Sequence, residues 1–188
     1  MWISCQPTYN VILVINEMYI IILLFYDSRQ EAVLFKFTNA ICKSYDETQI
    51  FINQCRLRAV SRNVTTFNYN ATNFFRIDEA RLKVQILKKA NGFKPWVVKA
   101  DIDGCRFLKK SYNPLFKIIF SLFQEFSNMN HTCPYLTGDV VVQGFYLKLS
   151  RLPHAIPTGE YLANITWIFN KKVIVLTSLY FMFIEDMI

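Results

Sequence analysis

Apolar and polar residues alternate with a period of two along much of this chain. From Glu79 to Lys88, Ala80, Leu82, Val84 and Ile86 fall on one face, with Arg81, Lys83 and Gln85 on the other. That is the pattern of a half-buried strand. Pro95–Leu108 repeats it: Trp96, Val98, Ala100 and Ile102 point one way, and Lys99, Asp101 and Asp103 the other. Asn91-Gly92 just before it is a turn signal. Phe67, Tyr69 and Ala71 alternate with Thr66, Asn68, Asn70 and Thr72, and Tyr161, Ala163, Ile165, Trp167 and Phe169 alternate with Asn164 and Thr166. Val33–Cys42, Gln49–Val60 and Val140–Leu149 are further strand candidates. Val173–Ile184, reached through a turn at Asn170-Lys171-Lys172, is apolar on both faces. It predicts a strand covered on both sides, or one with a side turned to a ligand.

One segment breaks this rhythm. Asn113 can cap a helix, Pro114 suits the first helical position, and an apolar run from Leu115 to Phe126 follows. Leu115, Ile118, Ile119, Leu122 and Phe126 form a stripe, which Phe116, Phe120 and Phe123 widen beyond what one sheet contact requires. Such a helix is either buried in a crowded core or closes an apolar pocket. Many short strands with a single short helix predict an all-β fold, an immunoglobulin-like two-sheet β-sandwich.

Composition agrees with a packed domain. Of 188 residues, 53% are apolar and 16% aromatic, too many for a disordered chain. Five glycines leave little for a phosphate-cradling loop. The net charge of +7 comes from scattered basic residues, such as Arg56, Arg58 and Arg62, and no dense block suggests nucleic acid as a partner. A basic face suits solvent or an anionic headgroup.

The compartment follows from three features. Met18–Tyr26 is an apolar run of signal-peptide length, too short to span a bilayer. No basic residue precedes it and no A-x-A site follows. The expectation is an atypical signal peptide over 1–28 and one sandwich domain over 29–188; a signal anchor would have to bury Glu17. Cys5 falls in the segment removed. Cys42, Cys55, Cys105 and Cys133 remain, and an even number in an exported chain predicts two disulfides. They allow three pairings, and without C-x-x-C spacing they predict no metal site. Four glycosylation sequons start at Asn63, Asn70, Asn130 and Asn164. Asn70 and Asn164 fall on the polar faces of their strands, where a glycan must lie. The chain reads as secreted and extracellular.

Catalytic chemistry finds little support. His131 lies inside a sequon and His154 between Pro153 and Ala155, both expected in surface loops. There is no G-x-S-x-G, H-E-x-x-H or phosphate-loop motif. Asp101 and Asp103 share a strand face, which solvation explains, and Asp103 can also fix the turn into Cys105. No enzyme activity and no cofactor are expected.

Several pieces resemble a known family. These are Phe37–Cys42, Cys55–Arg62, Lys88–Pro95, Asp103–Leu108, Ser127–Tyr135 and Ile156–Tyr161, which together span about Phe35 to Phe169. In order and spacing they resemble an insect family of secreted proteins that includes the CheB-type chemosensory proteins. That family is distantly similar to ganglioside-activator and ML-type lipid-recognition domains. The resemblance implies two sheets parted at one end to admit a lipid or other apolar molecule, and for chemosensory members a part in taste or pheromone perception. It also implies that Cys105 and Cys133 staple the helical excursion, which leaves Cys42 with Cys55.

Two readings follow. In the first, the chain binds a lipid or another hydrophobic small molecule, with a cell-surface receptor or channel as a further partner. Trp96, Val98, Ile102, Ile165, Trp167 and Phe169 would wall the cavity, and Ile119, Phe120 and Phe123 would close it. In the second, it is an extracellular protein–protein interaction module with a solid core and no ligand. Cavity volume separates the two.

Overall fold

A computed structural model describes residues 32–148 and 156–186. The expected signal peptide, Cys5 and His154 lie outside them. Residues 33–184 form one compact unit. In chain order its strands are β1 (Ala32–Ser44), β2 (Ile50–Ala59), β3 (Thr65–Asn73), β4 (Ala80–Ala90), β5 (Gly92–Asp103), β6 (Gly138–Phe145), β7 (Gly159–Phe169) and β8 (Lys172–Asp186). Helices α1 (Gly104–Lys109) and α2 (Pro114–Phe123), then a single 3-10 turn (Gln124–Phe126), stand between β5 and β6.

The strands make two antiparallel sheets. One holds five strands in the order β1-β8-β7-β4-β5 and the other three in the order β2-β3-β6. Cross-strand register puts the expected faces together: Val84 stands between Ala100 on β5 and Ile165 on β7, and Leu82 between Ile102 and Trp167. Direct opposition of apolar side chains on one face is the unit of sheet stabilisation.

Turn chemistry sets these registers. Gly92, at φ +88, opens β5 directly after the turn from β4. Asn170 and Lys171, at φ +46 and +70, form the two-residue turn between β7 and β8, and paired positive φ matches the twist of the flanking strands. The Asn170 side chain then ties this turn to the approach to β4. Its oxygen accepts from the amides of Asp78 (3.0 Å) and Glu79 (3.1 Å), and its nitrogen donates to the Arg76 carbonyl (2.9 Å).

The alternation read from Pro95 to Leu108 runs five residues past the end of the strand. Asp103 stops β5 because its carboxylate accepts from the Arg106 amide (2.9 Å) and so caps α1. Gly104 lets that helix sit against β4: a Cβ there would come within 3.0 Å of Leu82 Cδ1 and 3.2 Å of the Ala80 carbonyl. Asn113 caps α2 by accepting from the Phe116 amide (2.9 Å), with Pro114 next.

Two disulfides close the fold. Cys42–Cys55 joins β1 to β2, the edge strands of the two sheets on one side, across 6.0 Å between Cα atoms. Cys105–Cys133 ties α1 to the loop before β6, across 5.4 Å. The helical stretch covers the other side, resting on the inner face of β4 and β5 and reaching Phe145 of β6 through Phe123 and Phe126.

Buried apolar residues fall into three clusters. Val84, Ala100, Ile102, Phe107 and Phe116 lie under the helices; Phe37, Phe67, Val142 and Leu179 lie between the sheets; Ile50, Ala71, Ile174 and Val175 lie at one end. No helix among the described residues is long and apolar enough to cross a membrane.

Candidate functional site: an apolar cavity between the sheets

The buried clusters do not fill the interior. A cavity of about 840 Å³ lies between the sheets and reaches under α2. The five-stranded sheet lines it with the inward row of β4 (Leu82, Val84, Ile86), with β7 from Tyr161 to Phe169, and with Val175, Thr177, Leu179 and Phe181 of β8. The three-stranded sheet supplies Phe67, Tyr69, Ala71 and Val142. Helix α2 supplies Phe116, Ile119, Phe120 and Phe123.

Eight of the nine residues expected on the wall are there: Trp96, Val98, Ile119, Phe120, Phe123, Ile165, Trp167 and Phe169. The ninth, Ile102, is fully buried in the cluster beneath the helices and does not line the space. Phe35 and Phe37 of β1, Phe145 of β6, and Tyr135 and Leu136 of the return loop also line it, and sequence reasoning did not name them. For β8 the signal was present, since an apolar run with two apolar faces is what a strand between solvent-shielding neighbours and a cavity requires.

Polar groups on the wall are mostly satisfied within the protein. The Asn73 amide is 1% exposed and donates to the carbonyls of Phe75 (2.7 Å) and Leu136 (2.9 Å). Asn128 donates to the Asp139 carbonyl and accepts from the Val141 amide. The Trp167 indole donates to the Thr177 hydroxyl (3.2 Å). The interior therefore offers a ligand apolar surface and few free hydrogen-bonding groups. Burial pushes the phenols of Tyr69 and Tyr135, both on the wall, up to about 12, so both are neutral at physiological pH.

The cavity meets solvent beside α2 and β5 and at the return loop. Val97 is 79% exposed, Leu136 66%, Leu115 40% and Ile118 38%, yet all four line the space. This differs from the stripe read along the helix. Phe116 and Leu122 are its buried residues, whereas Leu115 and Ile118 stand at the cavity's edge.

The remaining candidates sit elsewhere. Asn63 and Asn130 are exposed. Asn70 and Asn164 are half-buried, Asn70 accepting from the Asn53 amide (3.1 Å) and Asn164 from the Ser178 hydroxyl (2.8 Å). Arg56, Arg58 and Arg62 are exposed. Asp101 pairs with Arg81 through two hydrogen bonds, which hold its carboxyl below the usual range. His131 is exposed, its ring lies tilted against Tyr135 at 4.3 Å, and it borders the cavity. No group of three His, Cys, Asp or Glu among the described residues could hold a metal ion.

A family model described as "Protein of unknown function (DUF1091)" matches residues 82–163. That segment runs from β4 through both helices into β7, so it contains much of the cavity wall. No curated protein matches the chain. Among solved structures, a Niemann-Pick type C2 protein from the Japanese carpenter ant aligns at 12% identity with a TM-score of 0.32, over 79% of this chain and 90% of that one. Chicken MD-1 complexed with lipid IVa aligns at 18% identity with a TM-score of 0.30, over 83% and 99%.

Proposed function

We propose that this chain is a secreted, non-enzymatic binding protein for a lipid or another small apolar ligand held between its sheets. The cavity carries the reading. At about 840 Å³ it falls in the range of small-molecule sites, it is lined mainly by aliphatic and aromatic side chains, and it opens to solvent beside a helix. Burying alkyl chain there yields roughly 0.8 kcal/mol per methylene, so a hydrocarbon is held without any charged contact. A sandwich serving only as an interaction module would fill that space with its own side chains. The two disulfides and four sequons support export. A setting in insect taste or pheromone perception, with a receptor or channel as partner, rests on the sequence resemblance. The test is native mass spectrometry and solvent extraction of protein secreted from insect cells, alongside titration with a neutral naphthylamine dye. A co-purified lipid or dye uptake supports the reading. Recovery of nothing, with no dye bound, overturns it.

A further inference from the structure

The inward row of β4 does not end apolar. After Leu82, Val84 and Ile86, all on the cavity wall, the next position on that face is Lys88. Register sets Lys88 opposite Tyr161 on β7 and opposite Lys94 on β5. Phe93, next to Lys94, meets Tyr180 at 5.6 Å. Tyr180 pairs with Leu162, between the cavity-facing Tyr161 and Ala163, so it belongs to the outer face. Lys94 is therefore on the inner face beside Lys88. The Lys88 ammonium stands 5.5 Å from the centre of the Tyr161 ring. Tyr161 stacks on Phe181 at 5.3 Å and meets Trp96 at 5.2 Å, and all three rings line the cavity. Gly159 leaves room beside Lys88: a Cβ there would lie 2.9 Å from Lys88 Cε, and the end of the lysine would have to shift.

Two like charges directly opposed across a strand pair repel, and among the described residues no ion pair joins either lysine to a carboxylate. Glu160, the neighbour of Tyr161 on β7, is taken by Lys89 at 2.8 Å. The pair stands just beyond the cavity wall, one inward position past Ile86 on β4 and past Trp96 on β5, with Lys94 exposed; a cation pair there, beside an aromatic platform, is the complement of an amphipathic anion. We infer that the ligand is a long-chain anion, a carboxylate or phosphate on a hydrocarbon tail, whose head lies at Lys88 and Lys94 while its tail runs past Trp96 into the cavity. This deepens the ligand-binding reading and rests on it.

The test is displacement of the neutral dye from the full chain by hexadecanoate, hexadecyl phosphate and hexadecanol, which share one tail. Either anion is expected to bind about tenfold tighter than the alcohol, as a charge-assisted hydrogen bond provides, and the stronger of the two names the head. Added salt weakens the anions and leaves the alcohol unchanged. The double variant Lys88→Met and Lys94→Met keeps the unbranched stems, so it loses the preference and retains alcohol and dye binding; Lys94→Met alone loses part of it. Equal binding of anion and alcohol to the native chain, with no salt effect, overturns the anion assignment and leaves the cavity reading standing. A preference that survives in both variants does the same. A chain that takes up neither dye nor any tail overturns both.

Discussion

Asn73 is almost completely inaccessible, and its amide joins the end of β3 to Phe75 and to Leu136 in the return loop. Asn73→Ala leaves two carbonyls short of a donor and should cost about 3 kcal/mol, read from denaturant unfolding. The phenols of Tyr69 and Tyr135 give a pH signature. Folding raises both to about 12, whereas the unfolded chain ionises them near pH 10. Above that pH the unfolded chain has released protons that the folded chain retains, so stability is complete below about pH 10 and falls as pH rises toward 12. Tyr69→Phe should flatten that fall in unfolding curves taken across the alkaline range. At this scale the sequence was uneven. The alternation named Trp96, Trp167 and Phe169 as wall positions, and all three line the cavity, because one face of a strand is one face of a sheet. It placed Ile102 with them because periodicity reports a face and not what covers it; here Phe107 and Phe116 do.

Helix α2 shows where pattern reading stops. Its caps were legible, since Asn113 and Pro114 act locally. Its buried side was not, because nearly every position from Leu115 to Phe123 is apolar and periodicity then selects no face. The structure turns Phe116 inward against Phe107 at 4.8 Å and leaves Ile118 at the cavity's edge. Phe116→Ala should therefore cost about 3 kcal/mol or more in a thermal or denaturant melt, and Ile118→Ala under about 1. Helix α1 was hidden for a related reason, as a six-residue helix carries too few turns to break an alternation already running. The disulfides belong to this scale too. They close separations of 13 and 28 residues. In the chain-entropy model, replacing Cys42 and Cys55 by Ser should cost about 3 kcal/mol, and replacing Cys105 and Cys133 nearer 4. The second loss should also loosen the helical side of the cavity, seen as faster hydrogen exchange in α1 and α2.

Across the whole molecule, two layers, their strand order and the position of the helical excursion decide that the interior is partitioned. The sequence announced strands and a sandwich, since those follow from period two and short connections. It did not announce how much space the layers enclose, which depends on how far the sheets stand apart and on how much of the interior their side chains fill. A ligand confined to the folded state should raise stability by about 2.7 kcal/mol when present at a hundred times its dissociation constant, and the melting temperature should climb with concentration.

The cavity between the sheets also has a mechanical consequence. A molecule built around emptiness is bulkier than the sum of its atoms, and unfolding lets water reclaim that volume. Hydrostatic compression should therefore denature the unliganded protein more readily than a solid sandwich of equal length, since the volume lost on unfolding scales with internal void. Loading the interior with a tail should restore resistance to squeezing by more than it restores resistance to heat.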